Sequence, residues 1–131
     1  MSDSVMAWLR DFEACVLARD FDRGRILCNQ NIVSFGTVAH MAVGLEQLIN
    51  QQWSHVWNVT RDFEFDYEHM QINGRNDLAW VAAPWASRGF AADGSSYLRE
   101  GRATIVLRLE HDGWLGIHTH FSTRPRDRDA P

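Results

Sequence analysis

The sequence has little cysteine, no excess of basic charge and no long apolar run. Its two cysteines, Cys15 and Cys28, are too few for a disulfide framework, which favours reduced, buried thiols in a cytoplasmic protein. A formal net charge of −4 argues against nucleic acid as a partner, because such proteins carry clustered lysine and arginine. No apolar run approaches the ~20 residues that cross a bilayer, and the first residues show no secretory signal, so no membrane partner is expected.

Apolar residues, by contrast, are abundant enough for one compact domain. The chain has 131 residues, of which 45% are hydrophobic. A chain of this length can bury a substantial core in a single unit. We therefore expect one domain over residues 1–123, followed by a polar, charge-balanced tail at 124–131 that is frayed.

Helical periodicity dominates the first half of the chain. Apolar residues recur at three- and four-residue steps over 5–17, which predicts an amphipathic helix. A short second helix is predicted over 22–28 and ends at the polar residues 29–31. A short strand over 32–35 follows, and a third helix is predicted over 44–58.

The second half has strand chemistry instead. Four runs, over 59–72, 78–90, 97–109 and 114–121, are separated by three turn dipeptides, namely Asn73-Gly74, Asp93-Gly94 and Asp112-Gly113. Helices followed by an antiparallel meander predict an α+β domain whose helices cover one face of a curved sheet. Such a sheet encloses a pocket, where function is to be sought.

Five motifs in this order carry a family resemblance: Ala18-Arg19-Asp20-Phe21-Asp22, Val33-Ser34-Phe35-Gly36-Thr37, Leu78-Ala79-Trp80-Val81, Gly101-Arg102-Ala103-Thr104-Ile105-Val106-Leu107, and the stretch over 113–122. Together they resemble a SnoaL-like member of the nuclear transport factor 2-like superfamily over nearly the whole chain. The end of the chain is also similar to the association domain of calcium/calmodulin-dependent protein kinase II. The resemblance implies the cone-shaped, cystatin-like fold, with N-terminal helices packed on a curved, mostly antiparallel sheet, a homodimer through the sheets, and a pocket between sheet and helices.

The resemblance leaves the chemistry open, since such relatives include isomerases, dehydratases, polyketide cyclases and non-catalytic binding modules. One hypothesis is a cofactor-independent acid/base enzyme of the cyclase, isomerase or dehydratase class, acting on an apolar substrate. Asp66 and His69 are its candidate catalytic groups, because burial can tune either one for proton transfer near neutral pH. The alternative is a non-catalytic ligand-binding or dimerisation module. Neither hypothesis calls for a cofactor.

Arg102 is the predicted polar anchor of the pocket. A charged residue inside a strand is exposed at an edge, paired, or lines a cavity, and Glu100 or Asp66 would be its partner if it is paired. In a cavity its planar guanidinium would bind the oxygen of a small apolar or weakly anionic ligand. A two-residue turn at Asp112-Gly113 would put three further residues on the face of Arg102, namely Thr104, Thr119 and Phe121.

Aromatic side chains are expected to form the apolar wall of this pocket, although such residues more often only pack in a core. With a two-residue turn at Asp93-Gly94, Trp85 lies opposite Arg102. A bulge at Pro84 would turn Trp80 inward instead, and the sequence leaves this choice open. The candidate ligand-binding aromatics are Trp53, Phe65, Trp80 and Trp85.

His118 and His120 share one face of the last strand, because side chains two residues apart point the same way. Two histidines could begin a metal site, but no motif supplies a third ligand, so we expect no metal. The two-residue turn would place them with Trp114, Ile105 and Leu107 on the outer face. By the resemblance, that face forms the homodimer.

Overall fold

An amphipathic N-terminal helix covers the sheet, as its periodicity predicts. In this computed structural model, which describes residues 1–125, helix α1 (Ser2–Ala18) ends where Arg19 adopts a left-handed conformation with φ 56°. Helix α2 (Phe21–Ile26) is capped by Asp20, whose carboxylate accepts a hydrogen bond from the N–H of Arg23 at 3.0 Å. Helix α1 buries one stripe of side chains, namely Val5, Trp8, Leu9, Phe12, Cys15 and Val16.

The first strand is longer than its apolar residues indicate. Strand β1 (Cys28–Phe35) includes the polar residues 29–31, which were predicted to end the second helix. The sequence pattern did not indicate the two-residue strand β2 (Ala42–Val43), which pairs antiparallel with β1. Both strands form one edge region of the sheet.

The third helical segment, over 45–59, is present but is not one regular helix. Gly44 precedes it with φ 92°, a conformation that favours glycine. A π-helical turn in its middle buries Gln52 and Trp53, and such turns are frequent at functional sites. In chain order the segment consists of α3 (Leu45–Leu48), the π-helical turn (Ile49–Trp53), α4 (Ser54–Val56) and a 3₁₀ turn (Trp57–Val59).

The remaining strands complete a seven-stranded sheet with the order β2-β1-β7-β6-β5-β3, in which β4 also pairs with β5. The pair of β1 with β7 is parallel, and the other pairs are antiparallel. The predicted α+β class with a mostly antiparallel sheet is thus confirmed. These strands are β3 (Arg61–Phe65), β4 (Gln71–Arg75), β5 (Leu78–Phe90), β6 (Ser96–Glu110) and β7 (Gly113–Thr123).

The first predicted strand run, over 59–72, is in fact two strands. A turn separates β3 from β4, and in it the carboxylate of Asp66 accepts a hydrogen bond from the N–H of His69 at 3.1 Å. The tight turn predicted at Asn73-Gly74 is also wrong, since both residues pair within β4. The chain reverses at Asn76-Asp77 instead, where Asn76 has φ 58°.

The hairpin of β5 and β6 differs from the prediction by one residue in register. Its connection covers 91–95, and Phe90 pairs with Ser96, so Arg102 pairs with Pro84 rather than with Trp85. Because side chains alternate along a strand, this shift exchanges the two faces of β6. Arg102 is therefore exposed on the outer face, and the prediction that it lines the pocket is wrong.

The hairpin of β6 and β7 adds a second irregularity. It turns at His111-Asp112, and a bulge at Ile117 separates the pair Leu107–Gly116 from the pair Val106–His118. A bulge changes which side chains face inward beyond it. Thr119 and Phe121 consequently face the core, and His118 and His120 face outward, as predicted.

The outer face is nevertheless not composed as predicted. Ile105 and Leu107 are fully buried core residues, whereas Thr104 is exposed beside His120. Trp114 is also buried, and its Nε1–H donates to the hydroxyl of Ser4 in α1 at 2.9 Å. The assignment of Ile105, Leu107 and Trp114 to the outer face, and of Thr104 to the inner one, is therefore wrong.

Most of the predicted tail lies outside the described residues. Of residues 124–131, only Arg124 and Pro125 are described, and the N–H of Arg124 donates to the carbonyl of Glu100 at 2.7 Å. Within residues 1–125, no helix is long and apolar enough to cross a membrane.

Gly101 should be essential for packing, since a Cβ there would collide with the indole ring of Trp85 and with the carbonyl of Ser122. We expect Gly101→Ala to lower the free energy of unfolding by about 1–3 kcal/mol through overpacking. Gly116→Ala is the matched control, because its Cβ would meet Trp8 at 3.3 Å and nothing nearer. Urea denaturation compares the two variants, and equal stabilities would contradict the close packing of Trp85 on β6.

Candidate functional site

A cavity of about 50 Å³ lies between the helical segments and the inner face of the sheet. Its walls are mainly aromatic and aliphatic, and its polar side chains are neutral apart from one arginine. The lining residues are Phe12, Val16, Phe35, Gly36, Thr37, Leu48, Gln52, Trp53, Val56, Trp57, Thr60, Phe63, Trp85, Arg99, Thr119 and Phe121.

Stacked rings form the wall on the helical side. Trp53 and Trp57 stack with their centroids 4.4 Å apart, and Phe12 meets both edge-on at 6.1 and 5.8 Å. On the sheet side, Phe121 lies 6.3 Å from Trp85 and 6.0 Å from Phe12. Aromatic faces arranged in this way suit a flat apolar group.

Gln52 is the buried polar group that shapes the entrance. Its Oε1 accepts hydrogen bonds from the N–H groups of Val38 and Ala39 at 2.9 and 2.7 Å, and its Nε2 donates to the hydroxyl of Thr37 at 2.8 Å. A Cβ on Gly36 would collide with this amide, so glycine permits the close approach. One side chain of the π-helical turn therefore holds the loop that follows β1 over the cavity.

Arg99 is the charged residue at the mouth. It is half-buried, and its guanidinium carbon lies 5.5 Å from the ring centroid of Trp85. Burial lowers the pKa of Arg99, because removing water disfavours the charged form. Arg99 also lines an open groove of about 270 Å³ whose wall includes Glu100 and Arg124.

Sequence reasoning missed Arg99 because it chose the wrong face of β6. Arg99, Gly101 and Ala103 lie on the face of the fully buried Ile105 and Leu107. Had these two apolar residues been assigned to the core, the alternation of the strand would have turned Arg99 inward. The apolar residues Ile105 and Leu107 were therefore the sequence feature that could have identified Arg99.

The predicted aromatic residues fall into three groups. Trp53 and Trp85 line the cavity, and of the two alternatives on β5 it is therefore Trp85, not Trp80, that faces inward. Trp80 is 43% exposed on the outer face, because β5 runs past Pro84 without a bulge. Phe65 is buried against Phe121 at 6.4 Å but does not itself line the cavity.

Of the four predicted ligand-binding residues on β6 and β7, two lie at the cavity. Thr119 and Phe121 line it, and the hydroxyls of Thr119 and Ser34 are hydrogen-bonded at 2.8 Å. Thr104 and Arg102 instead line a shallow groove on the outer face of the sheet. The four predicted residues on β6 and β7 are therefore divided between the inner and the outer face of the sheet.

Asp66 and His69 lie outside the cavity, in the exposed turn between β3 and β4. Nδ1 of His69 is 2.8 Å from Oδ2 of Asp66, and this hydrogen bond lowers the pKa of the Asp66 carboxyl. Glu13 on α1 does not line the cavity either, because its Oε1 accepts the N–H of Phe65 at 2.8 Å. The two candidate catalytic groups are thus paired with each other at the surface.

Neither cysteine offers a nucleophile. Both are buried and free, and burial raises the pKa of Cys15 to about 11 and that of Cys28 to about 12. Thiols with such values remain protonated near neutral pH and react slowly. Within the described part of the chain, no group of three or more histidine, cysteine or acidic residues is placed to hold a metal ion.

Helices laid over a curved sheet, with a cavity between them, define the nuclear transport factor 2-like class of protein. The chain matches the SnoaL-like domain family over residues 5–126 and belongs to that family. A comparison with functionally curated proteins gave no match.

Solved structures share the fold at low sequence identity. A proposed dehydratase of the nuclear transport factor 2-like family from Streptomyces avermitilis has a TM-score of 0.81 and 14% identity, with 95% of this chain and 97% of that chain covered. A ketosteroid isomerase-like protein from Erwinia carotovora atroseptica gives 0.77 and 16%, with coverages of 95% and 96%. The C. elegans calcium/calmodulin-dependent kinase II association domain gives 0.73 and 15%, with coverages of 93% and 95%.

We predict that Gln52→Leu destabilises the entrance loop, because the buried N–H of Ala39 and the part-buried N–H of Val38 lose their acceptor. The cost should be about 1–3 kcal/mol for the buried donor of Ala39 and less for that of Val38. Gln51→Leu is the matched control, since Gln51 is exposed on the same helical segment. Hydrogen exchange at Val38 and Ala39 should accelerate only in the Gln52 variant, and unchanged protection would contradict the role of this amide.

Proposed function

We propose that this chain is a non-catalytic module that binds a small, flat, apolar ligand in the cavity. The observation that carries the proposal is the chemistry of the cavity wall. Among the described lining residues there is no aspartate, glutamate, histidine, cysteine, tyrosine or lysine. An acid/base reaction needs a proton-transfer group within hydrogen-bonding reach of its substrate.

The acid/base hypothesis loses support for the same reason. A cyclase, isomerase or dehydratase using Asp66 and His69 would need its substrate at the exposed turn after β3, away from the aromatic wall. Among the described residues that line the cavity, Arg99 alone has a titratable side chain. Arginine is too basic to exchange protons near neutral pH. The binding hypothesis requires none of these groups.

The cavity is small, and this limits the ligand to one compact ring that displaces lining side chains as it enters. Its volume is about 50 Å³, whereas an apolar cavity that binds benzene has about 150 Å³. Thr37 and Arg99 line both this cavity and the larger groove, so the two spaces meet at these residues. A ligand with one ring between Trp57 and Phe121 could extend its other end into the groove.

Ligand binding is tested with indole, a flat and mostly apolar probe, observed by saturation-transfer NMR. Val56 lines the cavity, and Val56→Phe should fill it and weaken binding at least about tenfold, because the ring occupies the same space. Val43 is 56% exposed on β2, so Val43→Phe is the matched control and should bind as the wild type does.

Two results would contradict cavity binding. One is the absence of saturation transfer to indole in the folded wild-type protein at millimolar concentration. The other is equal binding by the Val56 and Val43 variants, which would place the probe elsewhere on the surface.

We also propose that two copies associate through the outer face of the sheet. Trp80 is 43% exposed there and pairs with Val106 of β6, near Thr104 and His118. An exposed tryptophan beside an exposed aliphatic side chain, here Leu78, is typical of an interaction surface. The likeness to a kinase association domain supports a second copy of this chain as the partner.

Light scattering after size exclusion should give about twice 15.1 kDa for the wild type. Trp80→Asp should give the monomer mass, because a carboxylate would be desolvated at the interface. Val59→Asp changes a residue that is 59% exposed on the helical side and should leave the dimer intact. A monomeric wild-type protein at micromolar concentration would contradict the dimer.

The dimer should also weaken between pH 7.5 and pH 5. Histidine is the side-chain type that changes charge over this range. Two histidines, His118 and His120, lie on the outer face, and Arg102 carries a positive charge in the groove that contains His120. Like charges at a shared interface repel, so association should fall as pH falls. Equal association at both pH values would exclude the histidines from the interface.

A further inference from the structure

Arg99 lacks a counter-ion within the part of the chain that the structure describes. The three ion pairs formed by residues 1–125 join Arg23 with Asp11, Arg25 with Glu46 and His69 with Asp66, and none includes Arg99. A half-buried cation without an anion beside it is unfavourable, since burial removes water that stabilises its charge. The mouth of the cavity is therefore suited to an anionic group.

Two further polar groups near Arg99 have unused hydrogen-bonding capacity. Nε1 of Trp85 and Oγ of Ser87 are buried and have no hydrogen-bond partner among the described residues. Ser87 pairs with Arg99 across β5 and β6, and Trp85 lies beneath the guanidinium. Native proteins leave few buried polar atoms unpaired, so each one calls for an explanation.

All three groups can donate hydrogen bonds. The indole N–H and the guanidinium N–H groups only donate, and the hydroxyl of Ser87 can donate as well. They lie on one stretch of the inner face of β5 and β6, where Arg99 and Trp85 line the cavity and Ser87 is buried behind them. A group with several acceptor oxygens and a negative charge matches this set of donors.

We propose that Arg99, assisted by Trp85, binds a carboxylate, so that the ligand is a small aromatic carboxylic acid. This inference rests on the proposed function, because the ring of the acid occupies the apolar cavity. The carboxylate lies at the junction of cavity and groove, where Thr37 and Arg99 line both.

The charges around the groove favour a single carboxylate over a more highly charged group. Arg124 adds a second positive charge to the groove, but Glu100 lines it as well and repels anions. One guanidinium fits one carboxylate through two parallel hydrogen bonds. A phosphate dianion would meet the repulsion of Glu100 with fewer donors than its oxygens can accept.

The test compares 3-phenylpropanoate with 3-phenylpropanamide, which has the same ring and chain but no charge. Dissociation constants are measured by calorimetry for the wild type, Arg99→Gln and Arg102→Gln. Arg102 is the matched control because it lies three residues along the same strand on the opposite face.

We expect the wild type to bind the acid roughly ten- to a hundredfold more tightly than the amide, the range of a charge-assisted hydrogen bond. Arg99→Gln should bind the amide as the wild type does and lose the preference for the acid. Arg102→Gln should keep the preference. Circular dichroism and urea denaturation check that both variants are folded.

The outcomes separate the two proposals. If the wild type binds the amide and binds the acid no more tightly, or if Arg99→Gln keeps the preference, the carboxylate site is wrong and cavity binding stands. If the folded wild type binds neither compound, cavity binding fails, and the carboxylate site fails with it.

Discussion

The register of β6 against its two neighbours decides which side chains reach the cavity. Side chains alternate along a strand, so a shift of one residue exchanges the inner and outer faces. The connection over 91–95 and the bulge at Ile117 set this register, with Arg99 inside and Arg102 outside. The same register puts Gly101 opposite Trp85, which gives the indole ring the space it needs beside the cavity.

The helical side of the cavity depends on the π-helical turn in the same way. The turn buries both Gln52 and Trp53, so one short segment supplies a wall and a polar contact to the entrance loop. Because Gln52 uses its amide oxygen and nitrogen on Thr37, Val38 and Ala39, it positions the loop and is not free for a ligand. The mouth is therefore left to Arg99, which explains why the cavity is apolar inside and positive at one end.

Local patterns in the sequence were enough to predict most of the helices and strands. Together with the order of the motifs, they also predicted the fold class. They did not determine which side chains of β6 face the cavity, because Asp93-Gly94 and Asp112-Gly113 are equally compatible with longer or shifted turns. Gly94 does take φ 87°, as a turn glycine should, but Asp93 accepts the N–H of Ser95 at 2.9 Å within a longer loop. The bulge at Ile117 has no local signature. Burial of Ile105 was the better guide to the inner face, since it outweighs turn preference energetically.

We infer that ligands contact the inner face of the sheet, with Arg99 and Phe121, and not the outer face with Arg102 and Thr104. A nuclear Overhauser experiment on the complex with 3-phenylpropanoate distinguishes the two faces. We expect contacts from the phenyl protons of the ligand to the ring protons of Trp85 and Phe121, and none to the methyl group of Thr104. Contacts to Thr104 without contacts to Phe121 would contradict the register, the cavity as the binding site and the role of Arg99 together.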